Sequence, residues 1–97
     1  MHIQLPHNTT QRVAIDKVKV GLIQARPQMR DKVTIEKQEW AGNTLNFAFT
    51  AEGKKITGTL LVTNTDFVVD AKLPLLWRMF EGKIEKMIME QAKGMLH

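Results

Sequence analysis

Four consecutive stretches between Lys32 and Lys72 alternate apolar with polar side chains, and the turns joining them are too short to do anything but reverse the chain. That pattern forces an antiparallel meander. Lys32 to Trp40 places Val33 and Ile35 on one side and Thr34, Glu36 and Gln38 on the other. Ala41-Gly42-Asn43 then turns into Leu45, Phe47 and Phe49, which alternate with Thr44, Asn46, Ala48 and Thr50. Glu52-Gly53-Lys54 leads into Ile56, Gly58, Leu60 and Val62, set against Thr57, Thr59, Leu61 and Thr63. Asn64-Thr65-Asp66 leads into Phe67, Val69 and Ala71, set against Val68, Asp70 and Lys72. One face of the sheet is therefore apolar and the other rich in threonine, so helices need cover only the first.

The flanking segments supply that cover. His2-Ile3-Gln4-Leu5 alternates as a short strand, checked by Pro6. Asn8, Thr9 and Thr10 offer capping oxygens ahead of a helix predicted from about Thr10 to Ala25, whose stripe is Ala14, Ile15, Val18, Leu22 and Ala25. Pro27 disfavours helical geometry at Arg26 and is expected to end it. From Pro74 a second, long helix is predicted with Leu76, Trp77, Phe80, Ile84, Met87, Ile88 and Met95 on one face. The order β-α-β-β-β-β-α makes an α+β two-layer sandwich with both helices on one face of the meander. Its 97 residues allow a single domain, 1–97, with no room for a second. Gly58 falls mid-strand, and the second helix is expected to cross near it.

Catalytic chemistry finds little to work with. The chain has neither cysteine nor serine, which removes thiolate and seryl nucleophiles, disulfides and cysteine-ligated zinc. His2, His7 and His97 have no partner at helical ligand spacing. Glu36 and Glu39 stand at odd spacing on a strand and point to opposite faces. The glycines form no phosphate-cradling loop. We therefore expect no enzyme, no metal and no cofactor. No apolar run approaches the ~20 residues that span a bilayer, and the first residues lack the order of a signal peptide, so the expected place is the cytoplasm.

Binding surfaces are better represented. The formal charge is +4, and the excess is N-terminal: residues 1–37 carry seven Lys or Arg against three acids, and residues 38–97 seven against seven. Arg12, Lys19 and Arg26, seven residues apart, make a basic stripe on the first helix, suited to phosphate, an acidic surface or simple solvation. Val13, Val20 and Ile23 project away from that helix's core stripe, as do Leu75, Met79 and Met89 from that of the second. Such off-face groups can build an interface with a second copy of the chain, another protein, or an apolar polymer or lipid surface. Nucleic acid is a poor fit, because Phe47, Phe49 and Phe67 share the core face and leave threonine and charge on the open one.

Three stretches taken together, Trp40-Ala41-Gly42-Asn43-Thr44-Leu45-Asn46-Phe47, Gly58-Thr59-Leu60-Leu61-Val62 and Leu73-Pro74-Leu75-Leu76 leading to Ile84 and Ile88, resemble the putative polyhydroxyalkanoic acid system protein family. The resemblance implies a bacterial protein linked to polyhydroxyalkanoate granules and carries over no catalytic residue. Trp40, Gly42, Leu45, Phe47, Gly58, Leu73 and Pro74 read as determinants of fold. Granule-surface or granule-protein association through the off-face residues and the basic stripe is the expectation. The alternative is a small apolar-ligand carrier with a pocket lined by Phe47, Phe49, Leu60, Trp77 and Phe80. Against it, a chain this size buries only ~60–65% of its surface, and filling the core should consume most of those side chains.

Overall fold

The computed structural model describes residues 1–29 and 31–95. Leu75, Leu76 and Met95 belong to described elements, but their side chains, like residue His97 itself, lie outside what is described. The elements are β1 (His2–Pro6), α1 (Gln11–Met29), β2 (Val33–Ala41), β3 (Thr44–Ala51), β4 (Lys54–Val62), β5 (Asp66–Lys72), a 3-10 segment (Leu75–Phe80) and α2 (Glu81–Met95). The strands form one antiparallel sheet in the order β1-β5-β4-β3-β2, an α+β fold with the expected succession of strands and helices.

Two-residue loops set the register of β2, β3 and β4, and four residues, 63–66, stand between the paired Val62 of β4 and Phe67 of β5. Ala41 pairs with Thr44 around Gly42-Asn43, with Gly42 at φ +62°, which is the positive-then-negative pattern of a type II′ turn. Ala51 pairs with Lys54 around Glu52-Gly53, both at positive φ as a type I′ turn requires. The resulting register puts Leu45 opposite Leu60, Phe49 opposite Ile56, Leu60 opposite Val69 and Val62 opposite Phe67. β1 closes the far edge, with Ile3 opposite Val69 and Leu5 opposite Phe67. Apolar side chains thus collect on one face, as the alternation predicts.

α1 begins at Thr10, whose hydroxyl accepts the N–H of Val13 at 3.2 Å. Its stripe lands on the upper half of the sheet, where Ala14, Val18, Leu45, Val62 and Phe67 are buried, with Ile15, Leu22, Trp40 and Leu60 packed around them. Burying each larger member contributes roughly 1.5–3 kcal/mol. His7 is buried beside this cluster at 1% exposure. Its Nδ1 accepts the N–H of Thr9, so Nε2 carries the hydrogen and donates to the Thr63 carbonyl at 2.9 Å, with the ring edge-on to Phe67.

Two expectations are corrected. α1 does not stop at Ala25 but runs to Met29 with Pro27 inside it. In a last turn the ring forfeits a single bond, and Ile23, whose carbonyl loses that donor, is well exposed to water. The second helix does not run unbroken from Pro74. Its first turns are 3-10, and α2 starts only at Glu81, which breaks the phase assumed from Pro74 and leaves Phe80 58% and Met87 60% exposed. Gly58 sits opposite Phe47, and its bare α-carbon gives room to that ring and to the backbone of β5, between Ile56 and Leu60 on the wall that α2 roofs. A methyl group there would run into the Asp70 carbonyl oxygen, the Phe47 ring at 2.7 Å and the Ala71 Cα at 2.9 Å.

Gly58→Ala should therefore lower the unfolding free energy by ~2–3 kcal/mol in urea titration. Gly82→Ala, where a methyl group meets nothing within 4 Å, should be neutral or mildly stabilising. Equal effects of the two would contradict this reading of β4.

Candidate functional site

The site depends on an irregularity in β2. Val33 pairs with Ala51 and Ile35 with Phe49, but the next pairs are Lys37 with Ala48, Gln38 with Phe47 and Trp40 with Leu45, leaving Glu36 as an extra residue. Such a bulge inverts the alternation beyond it. Ile35 and Trp40, which a regular strand would point to opposite faces, consequently share the core face, and Gln38 joins them there rather than on the polar face that regular alternation assigns it. Glu36 is held on the polar side by the Thr50 hydroxyl, which donates to its carboxylate, and by Lys55 Nζ at 3.5 Å. Glu39, opposite Asn46, lies on that same face, so the bulge corrects the expectation that the two carboxylates point to opposite faces. The Thr50 hydrogen bond, supported by the Lys55 charge and opposed by desolvation, holds the Glu36 carboxyl below the usual range. A depressed carboxylate stabilises the fold above its unfolded pKa and loses that contribution as pH falls through the folded value.

Below the packed half of the sheet lies a half-open cavity of about 490 Å³. Its wall is Ile35 and Gln38 of β2, Leu45, Phe47 and Phe49 of β3, Ile56 and Leu60 of β4, and Val69 and Ala71 of β5. Leu22 of α1, Trp77 of the 3-10 segment, and Ile84 and Ile88 of α2 form the roof. Phe47 and Phe49 present stacked rings with centroids 6.1 Å apart. Lys37 and Gln38 are the lining residues with polar side chains, but the cavity surface is almost wholly apolar, so they border it without presenting their polar ends to it. Four of the five residues expected around a pocket, Phe47, Phe49, Leu60 and Trp77, lie on this cavity, and Phe80 does not. Filling therefore does not consume the apolar side chains, because α2 enters with Ile84 and Ile88 while Phe80 and Met87 remain outside.

The expected surface residues fall elsewhere. Val13, Val20 and Ile23 on α1 are 41%, 51% and 63% exposed. Val13 and Val20 line a shallow cleft with Asp16, Lys17, Gly21, Gln24 and Gly94 from the end of α2. Arg12, Lys19 and Arg26 are all exposed, and Lys19 Nζ sits 5.4 Å from the centre of the Trp40 ring. Met79 is 81% exposed, whereas Met89 is only half-exposed. Neither methionine lines the α1 cleft. Among the described residues no group of three or more His, Asp or Glu could hold a metal ion, and no helix is long and apolar enough to cross a membrane. Gln38 is the site residue that regular alternation misses, and the odd spacing from Ile35 to Trp40 is the signal that would have found it.

In the Thr50→Val variant the Glu36 carboxyl should titrate closer to the ordinary value of about 4.3 by NMR. An unmoved midpoint would mean that Thr50 does not hold the bulge.

Against known proteins, the family model described as putative polyhydroxyalkanoic acid system protein matches residues 1–96. Neither a curated protein nor a solved structure matches the chain.

Proposed function

Because this chain belongs to the putative polyhydroxyalkanoic acid system protein family, we propose that it is a non-catalytic, cytoplasmic protein that docks on the surface of polyhydroxyalkanoate granules through the outer face of α1. The observation that carries this reading is the exposure of Val13, Val20 and Ile23 at 41%, 51% and 63% on a helix whose opposite face is already buried. A granule is an apolar polyester body with a coat, and removing half-exposed aliphatic side chains from water against it contributes roughly 1 kcal/mol apiece. Arg12, Lys19 and Arg26 flank these groups and add attraction to an anionic coat that salt would screen.

The non-catalytic part of the reading rests on the residue inventory. The chain offers no serine or cysteine nucleophile, and His7, the one buried histidine among the described residues, is occupied by the Thr9 N–H and the Thr63 carbonyl.

The Val20→Asp, Ile23→Asp double variant should co-sediment with isolated granules at least ~tenfold less than the parent, with an unchanged far-ultraviolet circular dichroism spectrum. Undiminished co-sedimentation would overturn the proposal. So would a homodimer in sedimentation velocity that the same substitutions dissolve, because the face would then be occupied by a second copy.

A further inference from the structure

We infer that the cavity between the sheet and α2 is a binding site for one aliphatic chain of about ten to twelve carbons bearing an oxygen-containing head, of the fatty-acid or hydroxy-fatty-acid class. This site is separate from the α1 face, and the inference does not depend on granule docking.

Size, shape and chemistry each narrow the ligand. A cavity of about 490 Å³ lies within the ~300–1,000 Å³ of small-molecule sites. It is about three times the ~150 Å³ engineered cavity that stays dry and takes up benzene. Its lining runs from Ile35 on β2 to Val69 and Ala71 on β5. That is three strand spacings, ~14 Å, close to the extended length of a chain of about a dozen carbons. Sugars, nucleotides and peptides would lose their water to walls that return no hydrogen bonds. An aliphatic chain loses none and gains the faces of Phe47, Phe49 and Trp77.

The head is placed by the bulge. Gln38, turned inward by the extra residue Glu36, borders an almost wholly apolar wall with its stem at the edge strand of the sheet, so its half-exposed, unengaged amide stands beside that wall and not on it. An amide both donates and accepts, so it can hold a carboxyl, ester or hydroxyl oxygen. The tail then points across β3 and β4 toward Ala71, Leu73 and Trp77.

The orientation makes the test specific. The Trp40→Phe protein, with Trp77 as its only indole, is titrated below the micellar range with undecanoate brominated either at its terminal carbon or beside the carboxyl. We expect saturable quenching at one equivalent from the first compound and clearly weaker quenching from the second. Gln38→Leu should weaken binding of the carboxylate about tenfold while leaving the circular dichroism spectrum unchanged. Filling the wall with Val69→Phe, or with Ile56→Phe should the first variant fail to fold, should abolish the quenching. The proposal is overturned by non-saturable quenching, by equal quenching from the two bromine positions, or by binding that survives in a folded filled variant.

Discussion

The whole molecule is shaped by one geometric mismatch: a five-stranded sheet has a single apolar face, and one helix is too narrow to cover it. Four strand spacings make the sheet ~19 Å wide, whereas a helix with its side chains measures ~10–12 Å. α1 solves half of the problem well. Its small and branched residues, Ala14 and Val18, bring it close to Leu45, Val62 and Phe67, and the result is a dry cluster. The other half falls to the segment after β5.

That segment changes helical type along its length. Its 3-10 part winds at three residues per turn and α2 at 3.6, so an apolar row started in the first cannot continue unbroken into the second. Trp77, Ile84 and Ile88 reach the cavity, while Phe80 and Met87 are left outside. Opposite them, the bulge at Glu36 turns the end of β2 inward and adds Trp40 to the cluster and Gln38 to the hollow. The same sheet is thereby solid beneath Ala14 of α1 and open where Val18 and Leu22 of α1 face Ile84 and Ile88 of α2 across the hollow. The solid half carries stability, and the open half is free to carry a ligand.

Much of the architecture is legible in the sequence because it is written with period two. The alternation from Leu45 to Ala71 survives intact in the ladder, and the Gly42 and Glu52-Gly53 turns dictate hairpins whose register leaves no choice. Sequence and structure part where one residue changes the phase. Glu36 is inserted without any local mark, and only the separation of Ile35 from Trp40 betrays it. Pro27 reads as a stop, yet in an exposed last turn it removes one hydrogen bond that water replaces. Gly58 is less of a departure: it lies on the wall that α2 roofs, although its partner Phe47, directly across the ladder, already accounts for a missing side chain. The pocket is the least legible feature, since four of its aromatic and aliphatic lining residues read equally well as core.

The claim that this fold is packed on one side and hollow on the other is tested most directly by a crystal structure under xenon pressure, because xenon enters apolar cavities without needing a specific contact. Xenon is expected between Phe47, Phe49, Trp77 and Ile84, and none among Ala14, Val62 and Phe67. A xenon-free crystal in which Trp77 and the two phenyl rings meet and close that space would contradict it.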